Sequence, residues 1–103
     1  MLEICAGSWD SVLAARDGGA DRVELCSGLA EGGLTPSLGL IRAACRLDGL
    51  KVHVLIRPRG GDFLYTETEA ALMEDDIRSA IDAGAKVQRY NILTFFILNR
   101  TDY

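Results

Sequence analysis

Asp17-Gly18-Gly19-Ala20-Asp21-Arg22-Val23-Glu24-Leu25-Cys26 stops one helix and starts one strand, and the fold follows from it. The paired glycines after Asp17 end a helical pattern in which Trp9, Val12, Leu13 and Arg16 recur at helical spacing behind Ser8, a good N-cap residue. Arg22 to Cys26 then alternates in the manner of a strand, with Val23 and Leu25 opposed to Arg22, Glu24 and Cys26. Upstream, Leu2 to Cys5 is the same kind of strand, and Leu2-Glu3-Ile4-Cys5 recurs as Val23-Glu24-Leu25-Cys26. Each copy runs into small residues, Ala6-Gly7-Ser8 or Ser27-Gly28.

The alternation continues downstream. Thr35-Pro36 places a capping residue before a proline at the first position of a helix whose face is Leu38, Ile41, Ala44 and Cys45. Asp48-Gly49 closes that helix, and Lys51 to Arg57 is a third strand, with Val52, Val54 and Ile56 opposed to His53, Leu55 and Arg57. Thr66-x-x-Glu69 is a capping box at the head of a third helix, with Met73, Ile77, Ala80 and Ile81 as its apolar stripe and Gly84 after its end. The order βαβαβα predicts a parallel sheet with right-handed crossovers, an α/β fold. The apolar segment Val87 to Leu98 has the composition to supply a fourth strand.

The chain has 103 residues, enough for one small domain. Hydrophobic residues at 49% and charged residues at 25% are the composition of a globular protein. A net charge of −4 and a pI near 4.8 argue against a nucleic-acid partner or an anionic membrane surface, either of which calls for a basic face. The apolar run Ile92 to Leu98 is too short to span a bilayer, and Met1 to Cys5 does not read as a secretory leader. The expected compartment is the cytoplasm, with the nucleus as a second location, where Cys5, Cys26 and Cys45 stay reduced. Character changes near Lys86: the last stretch carries Lys86, Arg89 and Arg100 against Asp102 alone, together with Tyr90, Phe95, Phe96 and Tyr103. Residues 1–85 are therefore expected to form the βα part and residues 86–103 a divergent tail.

One strand face is polar, unlike the usual strand of a parallel sheet, which is apolar on both sides. It collects Glu3, Glu24, His53, Arg57 and two cysteines, and it reads either as a wet face or as the lining of a site. Cys5 and Cys26 end neighbouring strands on that face. Near register would bring the two thiols within reach of one soft ion, Cu(I) before Zn(II), which asks for about four ligands. Two small buried side chains explain them as well. Cys45 belongs to the core face of its helix, and His53, early in its strand, reads as structural. Arg57, Arg59 and Asp62, in Arg57-Pro58-Arg59-Gly60-Gly61-Asp62-Phe63, could hold a phosphate or carboxylate; the other reading is a salt-bridged turn in which Arg57 neutralises Glu3 and Glu24. Glu3 and Glu24 themselves read as an acid–base pair or as counter-charges. Glu31 to Ser37 is an anion-binding helix entrance or a plain linker. No nucleophilic triad, Walker loop or dinucleotide fingerprint is present, so a binding protein is expected ahead of an enzyme.

Four segments taken together, Leu2-Glu3-Ile4-Cys5, Gly19 to Cys26, Glu31-Gly32-Gly33-Leu34-Thr35-Pro36-Ser37 and Ile56 to Phe63, resemble the CutC family of copper homeostasis proteins in order and spacing. The resemblance implies a (β/α)8 TIM barrel, of which this chain holds about three and a half βα units, where a whole barrel takes about 250 residues. It also implies copper homeostasis as the function, Cu(I) bound by Cys5 and Cys26, a homo-oligomer, and a cytoplasmic or nuclear location. The alternatives are a barrel enzyme acting on an anionic small molecule through Arg57, Arg59 and Asp62, or a truncated product without function.

Overall fold

The computed structural model of the chain describes residues 2–87. Within them the order is β1 (Glu3–Ala6), α1 (Trp9–Asp17), β2 (Arg22–Leu25), a 3-10 turn (Leu29–Glu31), α2 (Leu38–Cys45), β3 (Lys51–Val54), α3 (Glu67–Asp82) and β4 (Lys86–Val87). All four strands are parallel and lie in the order β1-β2-β3-β4. Sheet order thus equals chain order, as in one half of a (β/α)8 barrel. The fourth strand starts at Lys86, and the expected remainder of it and of the tail lies outside the described residues.

The apolar pattern divides the sheet as its alternation requires. Val23, Leu25, Val54 and Ile56 are fully buried and meet Val12, Ile41, Ala44, Met73 and Ala80 from the three helices. Each valine, leucine, isoleucine or methionine among them contributes about 1.5–3 kcal/mol by leaving water. Cys45 packs against this core at the end of α2, as its helical position predicts. Ile81 departs from the predicted stripe and is exposed; the buried line of α3 runs through Ala70, Met73 and Ala80, with Ile77 partly buried against it.

The helices begin where local chemistry satisfies their first N–H groups. The Ser8 hydroxyl accepts from the Ser11 amide at 3.1 Å. Thr66 accepts from the Glu69 amide at 3.1 Å while the Glu69 carboxylate accepts from the Thr66 amide at 2.9 Å, which completes the capping box. Replacing Thr66 by alanine is expected to cost about 1 kcal/mol, read as a lower urea midpoint with unchanged slope.

Helix α2 starts later than its sequence suggests. Its cap is Ser37, whose hydroxyl accepts from the Leu40 amide at 3.2 Å. Thr35 is drawn away because it completes the end of β3: its amide donates to the Arg57 carbonyl at 2.9 Å, and its hydroxyl accepts from the Arg57 amide at 2.8 Å. Residues 55–57, expected as strand, thus stay extended beside a loop. Asp21 has a comparable duty at the opposite end of the sheet, where its carboxylate accepts from the Leu2 amide at 2.7 Å.

Candidate functional site

The strand registers define the polar face row by row. Glu3, Arg22 and Lys51 form the first row. Cys5, Glu24, His53 and Lys86 form the second. In the first row the Arg22 guanidinium meets the Glu3 carboxylate at 2.5 Å, with both groups half-buried. Arg22, not Arg57, is therefore the partner of Glu3. In the second row Glu24 stands between the thiol of Cys5 and the imidazole of His53. Burial and the charge of Glu3 push the Glu24 carboxyl above its ordinary value. Burial and the Arg22 charge push His53 below its own, so it is neutral at physiological pH, in keeping with a structural role.

Cys5 and Cys26 lie on the same face of adjacent strands, but they are not level. Cys5 pairs with Glu24, and Cys26 follows Leu25 just past the end of β2, two residues further along. With strands ~4.8 Å apart and a rise of ~3.3 Å per residue, the two Cα atoms are separated by roughly 8 Å. That exceeds the reach of a disulfide, whose Cα atoms lie within about 7 Å. It is a separation that an ion held by both sulfurs could span. The surroundings of the thiols differ. Cys5 is exposed, whereas Cys26 is 2% exposed and its thiol points at the Ala6 carbonyl, 3.8 Å away. Burial, Glu24 and Glu3 raise the Cys5 thiol; burial, Cys5 and Glu24 raise the Cys26 thiol. Both stay protonated at neutral pH until a ligand displaces the protons. Among the described residues no three His, Cys, Asp or Glu side chains gather into a metal cluster.

The three residues expected at an anion site are close in sequence, but the two arginines are engaged by groups of the chain itself, while Asp62 is exposed. Arg57 donates from Nη1 to the carbonyls of Glu31 (2.6 Å) and Gly33 (3.0 Å), and from Nη2 to that of Gly61 (3.2 Å). Arg59 meets Glu69 at 2.5 Å and Asp62 at 3.3 Å, and donates further to the carbonyls of Gly60, Asp62 and Leu64. The rings of Phe63 and Tyr65 lie 5.4 and 5.0 Å from the two guanidinium carbons. An anion at this position has to compete with all of these partners. Beside Arg57 an open depression of about 420 Å³ lies between the head of α2 and the middle of α3, lined by Ser27, Thr35, Ser37, Leu72 and Asp76 among others.

Residues 28–34 matter more than their sequence indicates. Glu31 to Ser37 read as an anion-binding helix entrance or a plain linker; the segment from Gly28 to Leu34 also lies against Cys26, through Gly33. The signal for this was the triple glycine pattern Gly28, Gly32 and Gly33, all at positive φ.

A parallel four-stranded sheet, helices on its apolar side and a thiol-bearing polar face on the other define an α/β half barrel. The chain belongs to the CutC family, whose model matches residues 1–94. It is 54% identical over 84 residues to a family protein named CutC from Mesorhizobium japonicum, covering 82% of this chain and 33% of that one. It is 48% identical over 94 residues to the copper homeostasis protein cutC homolog of Homo sapiens, covering 91% and 34% respectively. The crystal structure of CutC from Streptococcus agalactiae superposes with a TM-score of 0.77 at 31% identity, over 98% of this chain and 56% of that one. The chain thus spans about a third of the length of the curated relatives it matches.

Proposed function

We propose that the chain acts in copper homeostasis by holding Cu(I) between the thiolates of Cys5 and Cys26. The observation that carries this reading is the placement of two thiols on one face of adjacent parallel strands, staggered too far for a disulfide and suitably for a bridging ion. Two sulfur donors suit Cu(I), which accepts low coordination numbers, better than Zn(II). The name of the human relative, a copper homeostasis protein cutC homolog, points the same way. Copper is cargo in this reading. The chain's own part is to supply two thiols, to release their protons and to keep Glu24 beside Cys5. Free cysteines of this kind belong in a reducing compartment, the cytoplasm or nucleus.

The test is a competitive Cu(I) titration under anaerobic, reducing conditions. Replacing Cys5 and Cys26 together by serine is expected to weaken binding by at least about a thousandfold, since a hydroxyl is a poor ligand for a soft ion. Cys45→Ser, in the core beside Gly84, is expected to bind as the parent does. Equal binding by all three proteins would remove the paired-thiol site.

A further inference from the structure

Cys26 presents a difficulty for any reading in which its thiol takes up an ion. Its partner Cys5 is exposed, yet Cys26 is covered. Lying against it, through Gly33, is the loop between β2 and α2. Paired backbone hydrogen bonds between Ser27 and Leu34, at 2.9 and 2.7 Å, close the base of this loop. Within it Leu29–Glu31 makes one 3-10 turn, bounded by Gly28 (φ +55°) and Gly32 (φ +87°). Gly33 then lies flat on the sheet: a Cβ there would stand 2.9 Å from the Leu55 side chain and 3.9 Å from Cβ of Cys26. Only glycine lets the backbone come so near.

One side chain from outside the loop grips its centre. Arg57 Nη1 holds the carbonyls on both sides of Gly32, those of Glu31 and Gly33, while Nη2 holds Gly61 in the following loop. The other contacts are weaker: Leu29 rests over Gly7 but is 60% exposed, and the Glu31 carboxylate stands over Gly60. Take away the guanidinium and the turn between Gly28 and Gly32 keeps no charged hydrogen bond to the rest of the described residues.

We propose that Arg57 is a latch: it positions the Gly28–Leu34 loop over Cys26, and release of that loop, turning at Gly28 and Gly32, is the step that gives an incoming soft metal ion access to the buried thiol. The purpose of the latch rests on the copper reading above, but the opening itself does not. Arg57 has a positioning role and touches no ion. The arrangement sorts the two thiols in time, Cys5 being reachable at once and Cys26 only after the loop lifts.

The test follows thiol modification of the reduced, metal-free chain by iodoacetamide, with each cysteine read separately by mass spectrometry. Arg57→Met keeps an unbranched apolar stem close to that of arginine and removes the guanidinium donors. It is expected to speed modification of Cys26 by about tenfold or more, the equivalent of losing one charge-assisted hydrogen bond, with Cys5 and Cys45 unchanged. Arg57→Lys, unable to hold two carbonyls and Gly61 together, should restore little of the protection, and Arg42→Met on the exposed side of α2 should change nothing. An unchanged Cys26 rate, or a parallel rise at all three cysteines, overturns the proposal. Should Arg57→Met not fold, the parent chain decides in low urea. A local opening leaves the Cys26 rate nearly independent of urea, whereas a rate with the full unfolding slope means that only global unfolding exposes the thiol, and the latch is then wrong. Failure of the copper titration leaves these rates untouched, so the two ideas fall separately.

Discussion

Leu25→Ala is expected to destabilise the chain by about 2–5 kcal/mol, the range for removing a fully buried leucine and leaving a cavity. Leu25 has no exposed surface and stands at the centre of the sheet, level with Ala6 on one side and Val54 on the other. Its carbonyl accepts from the Leu55 amide at 3.0 Å, so the backbone there is fixed and cannot shift to fill the space. A small domain is stable by about 5–15 kcal/mol in total, so one substitution removes a large share. Urea unfolding followed by circular dichroism should show the midpoint fall by more than about 1 M while Ile81→Ala, at an exposed site, moves it little. The same experiment addresses the reading of this chain as a product without function, which predicts no cooperative transition even in the parent.

Cu(I) affinity is expected to rise by about two orders of magnitude for each pH unit between pH 6 and 8, because capture by two protonated thiols releases two protons. The sign follows from the direction of the shifts. Burial and the acidic neighbours raise both thiols above their ordinary value of 9.0, so over this whole range the metal-free site carries both protons. A competitive titration with a chelator of known proton dependence measures the slope. Cys26→Ser should bring it from about two to about one. A slope near zero would mean that the thiols are already ionised or take no part. The same shifts act on folding. A thiol with a folded-state pKa raised above its unfolded one contributes stability that is complete below the unfolded value and is lost as pH rises through the folded one. Stability should therefore decline above about pH 9, with Cys45, also raised by burial, adding to the effect.

The elements that sequence discloses are those governed by near neighbours. The Thr66–Glu69 box, the Ser8 cap and the two-residue alternation of β2 each depend on residues within four positions, and the structure has them as expected. Thr35 is the instructive exception. Its hydroxyl has the chemistry of a cap, but a partner 22 residues away competes for it, so the helix starts at Ser37's cap instead. The cysteine stagger is of the same kind. Which face Cys5 and Cys26 take follows from alternation, whereas their relative height depends on how α1 packs and how its turns are built. The partners of Arg57 were hidden for another reason: they are backbone carbonyls, present at every residue, so no residue type marks them. The family segments were legible because four motifs in fixed order carry far more information than one.

The agreement between sheet order and chain order bears on how the molecule comes to be made. Glu3 waits for Arg22, Arg22 for Lys51 and His53 for Lys86, so each new strand, as it leaves the ribosome, finds its only required neighbour already synthesised. Each helix arrives between the two strands it has to cover. Growth by addition at one edge means that β2, β3 and β4 each pair on arrival, and among the described strands no finished pairing has to be undone to admit a later one. The sheet can therefore assemble in the direction of translation, one βα unit at a time.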